Sequence, residues 1–108
     1  MRPEDRFDEV VTAMITVDGV SHAAGRRLGA QAIRHEGRVI ATLTDGRLTV
    51  KLPRARVDEL VSAGAGVYFD RVRMREWFVL SHSATLPWLD LAKEALAHAQ
   101  ASGRNSIS

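Results

Sequence analysis

The sequence contains no cysteine, which excludes disulfides, thiolate nucleophiles and Cys-ligated zinc. Aromatic residues are scarce, at 6% of 108 positions, so each of the two tryptophans and three phenylalanines weighs heavily in any core. No run approaches the ~20 apolar residues of a membrane-spanning helix, and the first residues show no apolar signal-peptide segment. A cytosolic protein without membrane association is the expectation. Lysine is nearly missing as well: only Lys51 and Lys93 stand among the 15 basic residues, the rest being arginine. What remains is ordinary globular composition, 45% apolar and 26% charged. That supports one domain over residues 1–103, followed by a disordered tail at 104–108.

The net charge of +2 is unevenly spread. Residues 26–56 carry a formal +6, whereas residues 1–18 carry −3. Arg26, Arg34, Arg38, Arg47 and Lys51, with Arg73 and Arg75 further on, are the candidates for binding an anionic partner. The competing explanation is an Arg-rich strand face that keeps the protein soluble and blunts edge pairing.

Asp45-Gly46 predicts a β-hairpin, because a type I′ turn needs positive φ at both central residues. That turn sets Leu43 across from Leu48, Ala41 from Val50 and Val39 from Leu52, all on one buried face. The opposite face pairs Thr44 with Arg47, Thr42 with Thr49 and Ile40 with Lys51. Upstream, His35-Glu36-Gly37 reads as a three-residue loop that puts Ile33 opposite Val39 and leaves Arg34 and Arg38 outside.

The remaining elements follow from periodicity. Phe7, Val10, Val11, Met14 and Ile15 predict an amphipathic first helix ended by Asp18-Gly19. Val20 to Ala30 reads as a connection of small residues, then strands near 30–34, 38–44 and 47–52. Pro53 stops the third strand, and a short helix over 54–63 is closed by Gly64-Ala65-Gly66. Tyr68-Phe69 and Glu76 to Leu80 predict two more strands, the second apolar on both faces and therefore central or covered. Thr85 is the expected N-cap of a last helix with the stripe Trp88, Leu91, Ala92, Ala95, Leu96 and Ala99, stopped by Gly103. Trp77 and Trp88 are both expected in the core. The fold class is α+β, an antiparallel sheet with helices packed on it in the order α-β(3)-α-β(2)-α.

No motif declares a chemistry. His22, His35, His82 and His98 lack ligand spacing, so no metal site is expected. Ser81-His82-Ser83 lacks the surroundings of a nucleophile elbow and reads as a loop. Gly64-Ala65-Gly66 follows a helix instead of a strand, so it is a cap and not a phosphate-binding turn. No catalytic residue and no cofactor are expected.

Three stretches resemble a known family. Arg26-Arg27-Leu28-Gly29 is similar to the basic–apolar–aromatic–glycine motif of the TfoX (Sxy) N-terminal domain. Gly46 to Pro53 resembles its strand ending in lysine-leucine-proline, and Phe69-Asp70 with Met74-Arg75-Glu76-Trp77 resembles its phenylalanine-aspartate and methionine-x-x-tryptophan region. The resemblance implies the α-β(3)-α-β(2)-α fold shared with secretion chaperones and YjbR proteins. It also implies a regulatory rather than catalytic role, natural competence being the process TfoX proteins regulate. The expected function is a non-enzymatic regulatory or protein-interaction module, with a protein partner or a second copy as ligand. The alternatives are a nucleic-acid-binding regulator using the basic sheet face and a small-molecule-binding domain. Because the first three strands place no aromatic ring on that face, nucleic-acid binding is expected to be non-specific, no tighter than about 10⁻⁶ M in ~150 mM salt.

Overall fold

The computed structural model describes residues 2–25 and 29–105. The elements run α1 (Pro3–Met14), β1 (Val20–Ala24), β2 (Gln31–His35), β3 (Arg38–Thr44), β4 (Arg47–Lys51), α2 (Arg54–Ser62), β5 (Gly66–Asp70), β6 (Met74–Leu80) and α3 (Trp88–Asn105). The strands form one antiparallel sheet in the order β1-β2-β3-β4-β6-β5, and the helices cover one of its faces. The α+β class holds, with one strand more than expected.

That strand is β1, at the sheet edge, where the sequence reads as a connection. It pairs with β2 along all five residues, from Val20 opposite His35 to Ala24 opposite Gln31. As an edge strand it is held by backbone bonds and buries little, so its side chains show no alternation. A 2.8 Å hydrogen bond between His22 and Gln31, and one from the Glu36 amide to the Gly19 carbonyl (2.9 Å), fasten it.

The β3–β4 hairpin has the expected register. Asp45 and Gly46 have φ of 53° and 76°, and Leu43 faces Leu48, both fully buried. The β2–β3 hairpin differs. Glu36 (φ 52°) and Gly37 (φ 80°) form a two-residue turn of the same type, which pairs His35 with Arg38 and Arg34 with Val39. Ile33 then faces Ala41, so Ile40 is the extra residue of a β-bulge. The bulge turns Ile40 into the core, at 2% exposure, and moves Val39 to the uncovered face. Arg38 goes to the helix side, where it lines a small cavity with Ala95, His98 and Ala99. The expectations for Val39, Ile40 and Arg38 are thereby reversed.

The core joins Phe7, Val10 and Met14 of α1, Val57 and Leu60 of α2, and Leu91, Ala92 and Ala95 of α3 to the inner ladder Ile33–Ala41–Val50–Phe78. Ile15 caps α1 and is exposed instead of completing its stripe. At the end of α2, Gly64 (φ 79°) donates to the Val61 carbonyl and Ala65 to that of Leu60, the paired bonds of a Schellman cap. The last helix starts later than expected. Pro87, not Thr85, supplies the carbonyl that accepts the first helical bond, from Leu91 at 3.3 Å. It also runs through Gly103 to Asn105, since glycine weakens a helix by only about 1 kcal/mol and does not oblige it to stop. Residues 106–108 of the expected tail lie outside the described residues.

Candidate functional site

The face of the sheet that no helix covers is largely apolar. Its ladder runs Ala32–Thr42–Thr49–Val79–Val67, with Trp77 beside Lys51 on the next rung. Alternation along β5 adds Phe69, which is 59% exposed, and Val67 is 53% exposed. A shallow groove of about 500 Å³ crosses this face, walled by Val39, Thr42, Thr49, Phe69, Met74 and Trp77, with Asp45 as its one charged residue. Trp77 is therefore half-buried on the open face and not a core residue, while Trp88 is 8% exposed in the core. The two-sided apolarity of β6 does mark a central strand, but only one of its faces is covered.

The groove continues into a polar cleft of about 280 Å³, where β4 leads into α2 and β5 turns into β6. Met74 and Trp77 belong to both. The cleft is lined by Lys51, Arg54, Arg73 and Arg75, with Glu76 as its one carboxylate. A register shift after Tyr68, which faces Phe78 while Asp70 faces Met74, swings Arg75 back towards α2. There its guanidinium lies 5.2 Å from the Tyr68 ring centre and 3.3 Å from Asp58, and both neighbours raise its pKa. The Tyr68 hydroxyl donates to Asp58 at 2.6 Å and, with help from Arg75, holds that carboxyl below the usual carboxylate range. Asp70 is lowered in the same way by the Arg73 and Val72 amides, at 3.0 and 2.9 Å, which fixes the β5–β6 turn.

The seven basic residues singled out in the sequence do not form one surface. Arg34, paired with Val39, borders the open face, and Lys51, Arg73 and Arg75 meet in the cleft. Arg38 is on the helix side, and Arg47 reaches over the sheet end to donate from Nε to His82 at 3.2 Å. Arg26 lies outside the described residues. The sequence reading also missed Arg54 as a member of the cluster and Phe69, Met74 and Trp77 as an exposed apolar set. The signal for the latter was the Trp77/Val79 alternation against Phe78/Leu80, which requires a second apolar face. The first three expected strands carry no aromatic ring on that face, but Phe69 of β5 and Trp77 of β6 bring two rings beside the basic residues.

Among the described residues no three His, Asp or Glu side chains converge in a metal-binding arrangement, and no helix is long and apolar enough to cross a membrane. The cavity beside α3 measures about 90 Å³, much smaller than the groove and the cleft. No family model, curated protein or solved structure matches this chain.

Proposed function

We propose that the protein is a non-enzymatic, cytosolic regulatory module that docks another protein on the open face of its sheet. The observation that carries this reading is the exposure of Val67, Phe69 and Met74 around a groove floored by Trp77, on a face that no helix covers. The residues that resemble the TfoX N-terminal domain support it, since Phe69, Met74 and Trp77 wall the groove and the Gly46–Pro53 stretch forms the adjoining strand.

The occupant we favour is a different protein offering apolar side chains flanked by carboxylates. Arg34, Lys51 and Arg73 outnumber Asp45 on this face, so a second copy would bring mostly like charges together, whereas acidic groups would be attracted. The test is capture from the native host followed by reconstitution of the purified pair. Phe69→Asp should abolish a stoichiometric complex that Asp8→Asn, on α1, leaves intact. Equal binding by both variants overturns the proposal. A salt-stable dimer of the protein alone, dissolved by Phe69→Asp, replaces the partner with a second copy.

Single-stranded nucleic acid is the second reading, favoured by Phe69 and Trp77 standing beside Lys51 and Arg73. A salt series on labelled oligonucleotides separates the two. Phosphate contacts give a linear fall of log affinity with log salt, with a slope of roughly 0.7 per phosphate neutralised on a single strand.

A further inference from the structure

The basic cleft holds more cations than the docking border uses, Arg54 and Arg75 standing beside Lys51 and Arg73. Lys51, Arg54, Arg73 and Arg75 converge on one space of about 280 Å³. Their compensation there is slight. Glu76 bonds His98 at 3.1 Å, and Asp58, behind the cleft, is shared between Arg75 and Arg54. Among the described residues, Lys51 and Arg73 have no ion-pair partner. Gathering like charges costs free energy through mutual repulsion, and a solubilising role is served better by dispersing them.

We propose that this cleft binds a multivalent oxyanion of the phosphate class, carried by a small molecule whose apolar or aromatic body lies against Trp77 and Met74. Lys51 and Arg73, which lack an ion-pair partner, together with Arg54 and Arg75, which share Asp58, match a ligand bearing more than one negative charge. The planar guanidinium fork suits phosphoryl oxygens, which it meets with two parallel hydrogen bonds. The volume exceeds a single phosphate and accommodates a diphosphate. The cleft shares Met74 and Trp77 with the groove, so a ligand body extending that way meets the Trp77 ring. The ligand would share Met74 and Trp77 with the docking groove, but the proposal does not require a protein partner.

The experiment is thermal melting with inorganic pyrophosphate at ionic strength held constant with sodium chloride. A ligand that binds only the native state raises Tm by mass action. The wild type should show a saturable rise that chloride does not reproduce. An Arg54→Gln/Arg73→Gln variant should bind at least tenfold more weakly, with its ligand-free Tm unchanged or raised because repulsion is relieved. Arg34→Gln should behave as wild type. Adenosine diphosphate should bind at least tenfold more tightly than pyrophosphate and quench Trp77 fluorescence in a Trp88→Phe background. A rise matched by chloride, or kept in the double variant, overturns the site. A short oligonucleotide that outcompetes adenosine diphosphate, with a steep salt dependence, assigns the cations to a nucleic-acid backbone and overturns the small-molecule ligand.

Discussion

The two tryptophans show how one residue type serves opposite ends. Trp88 opens α3 inside the core, with the Arg6 guanidinium 4.6 Å from its ring centre. Truncating it leaves a cavity that the neighbouring helices cannot fill, and Trp88→Ala should cost about 3–5 kcal/mol in a denaturant melt. Trp77 sits on the open face, so a soluble quencher should reach it in a Trp88→Phe protein and spare Trp88 in a Trp77→Phe protein. Equal quenching of both would contradict the placement. Phe69→Asp, needed for the docking test, should change stability by less than about 0.5 kcal/mol, since the ring is mostly exposed. Gly66 is the reverse case: a Cβ there would meet the Phe78 ring at 2.6 Å as well as the Val79 carbonyl. Gly66→Ala should therefore destabilise by roughly 1–3 kcal/mol, the range for overpacking a filled site.

At the scale of elements, the two hairpins explain what the sequence could and could not disclose. Asp45-Gly46 names its turn outright, and the apolar pairs around it fix faces, so β3–β4 is legible from residues alone. Glu36-Gly37 forms the same turn with a residue that disfavours positive φ, and nothing in the alternation announces the bulge at Ile40. That bulge alone exchanged Val39 with Ile40 and sent Arg38 behind the sheet. α1 and α3 were legible because their stripes are long, and the short α2 because Pro53 and Gly64-Ala65-Gly66 bracket it. β1 was not, because an edge strand needs only backbone partners. The functional face escaped for a related reason: exposure of β6 depends on which faces the helices leave bare, a property of the assembled sheet. The Glu36 conformation yields its own prediction. Asparagine tolerates the left-handed region that costs other residues about 1–2 kcal/mol, so Glu36→Asn should raise stability, by about 0.5–1 kcal/mol after loss of the glutamate's contacts. An unchanged or lowered melting temperature would argue against a strained turn.

At the scale of the whole molecule, the short helix α2 is fastened on two sides by charged groups. Arg56 pairs with Glu94 of α3 at 2.9 Å and with Glu59 of its own helix, and Glu94 raises its pKa. On the other side Asp58 accepts from Tyr68 of β5 and pairs with Arg75 of β6, while Asp70 holds the turn between those strands. Both aspartates are lowered from the ordinary 3.8, Asp58 chiefly by the Tyr68 hydroxyl and Asp70 by the Arg73 amide. A carboxyl that is more acidic in the native state than in the unfolded chain stabilises the fold fully above its unfolded pKa. That contribution fades as pH falls through the folded value. Stability should thus be level from neutral pH to about pH 5 as far as these two groups are concerned, and should decline below it. Asp58→Asn and Asp70→Asn mimic the protonated state, so each should lower Tm near neutrality and lose that deficit in acid. Wild-type and variant melting curves should converge as pH drops below 3.8, the ordinary value from which both groups are lowered. A deficit that persists undiminished to pH 2.5 would show that the aspartates act through shape and not through charge. The corner of α2, β5 and β6 would then be held by packing, with the cations of the cleft owing their positions to the turn instead of to Asp58.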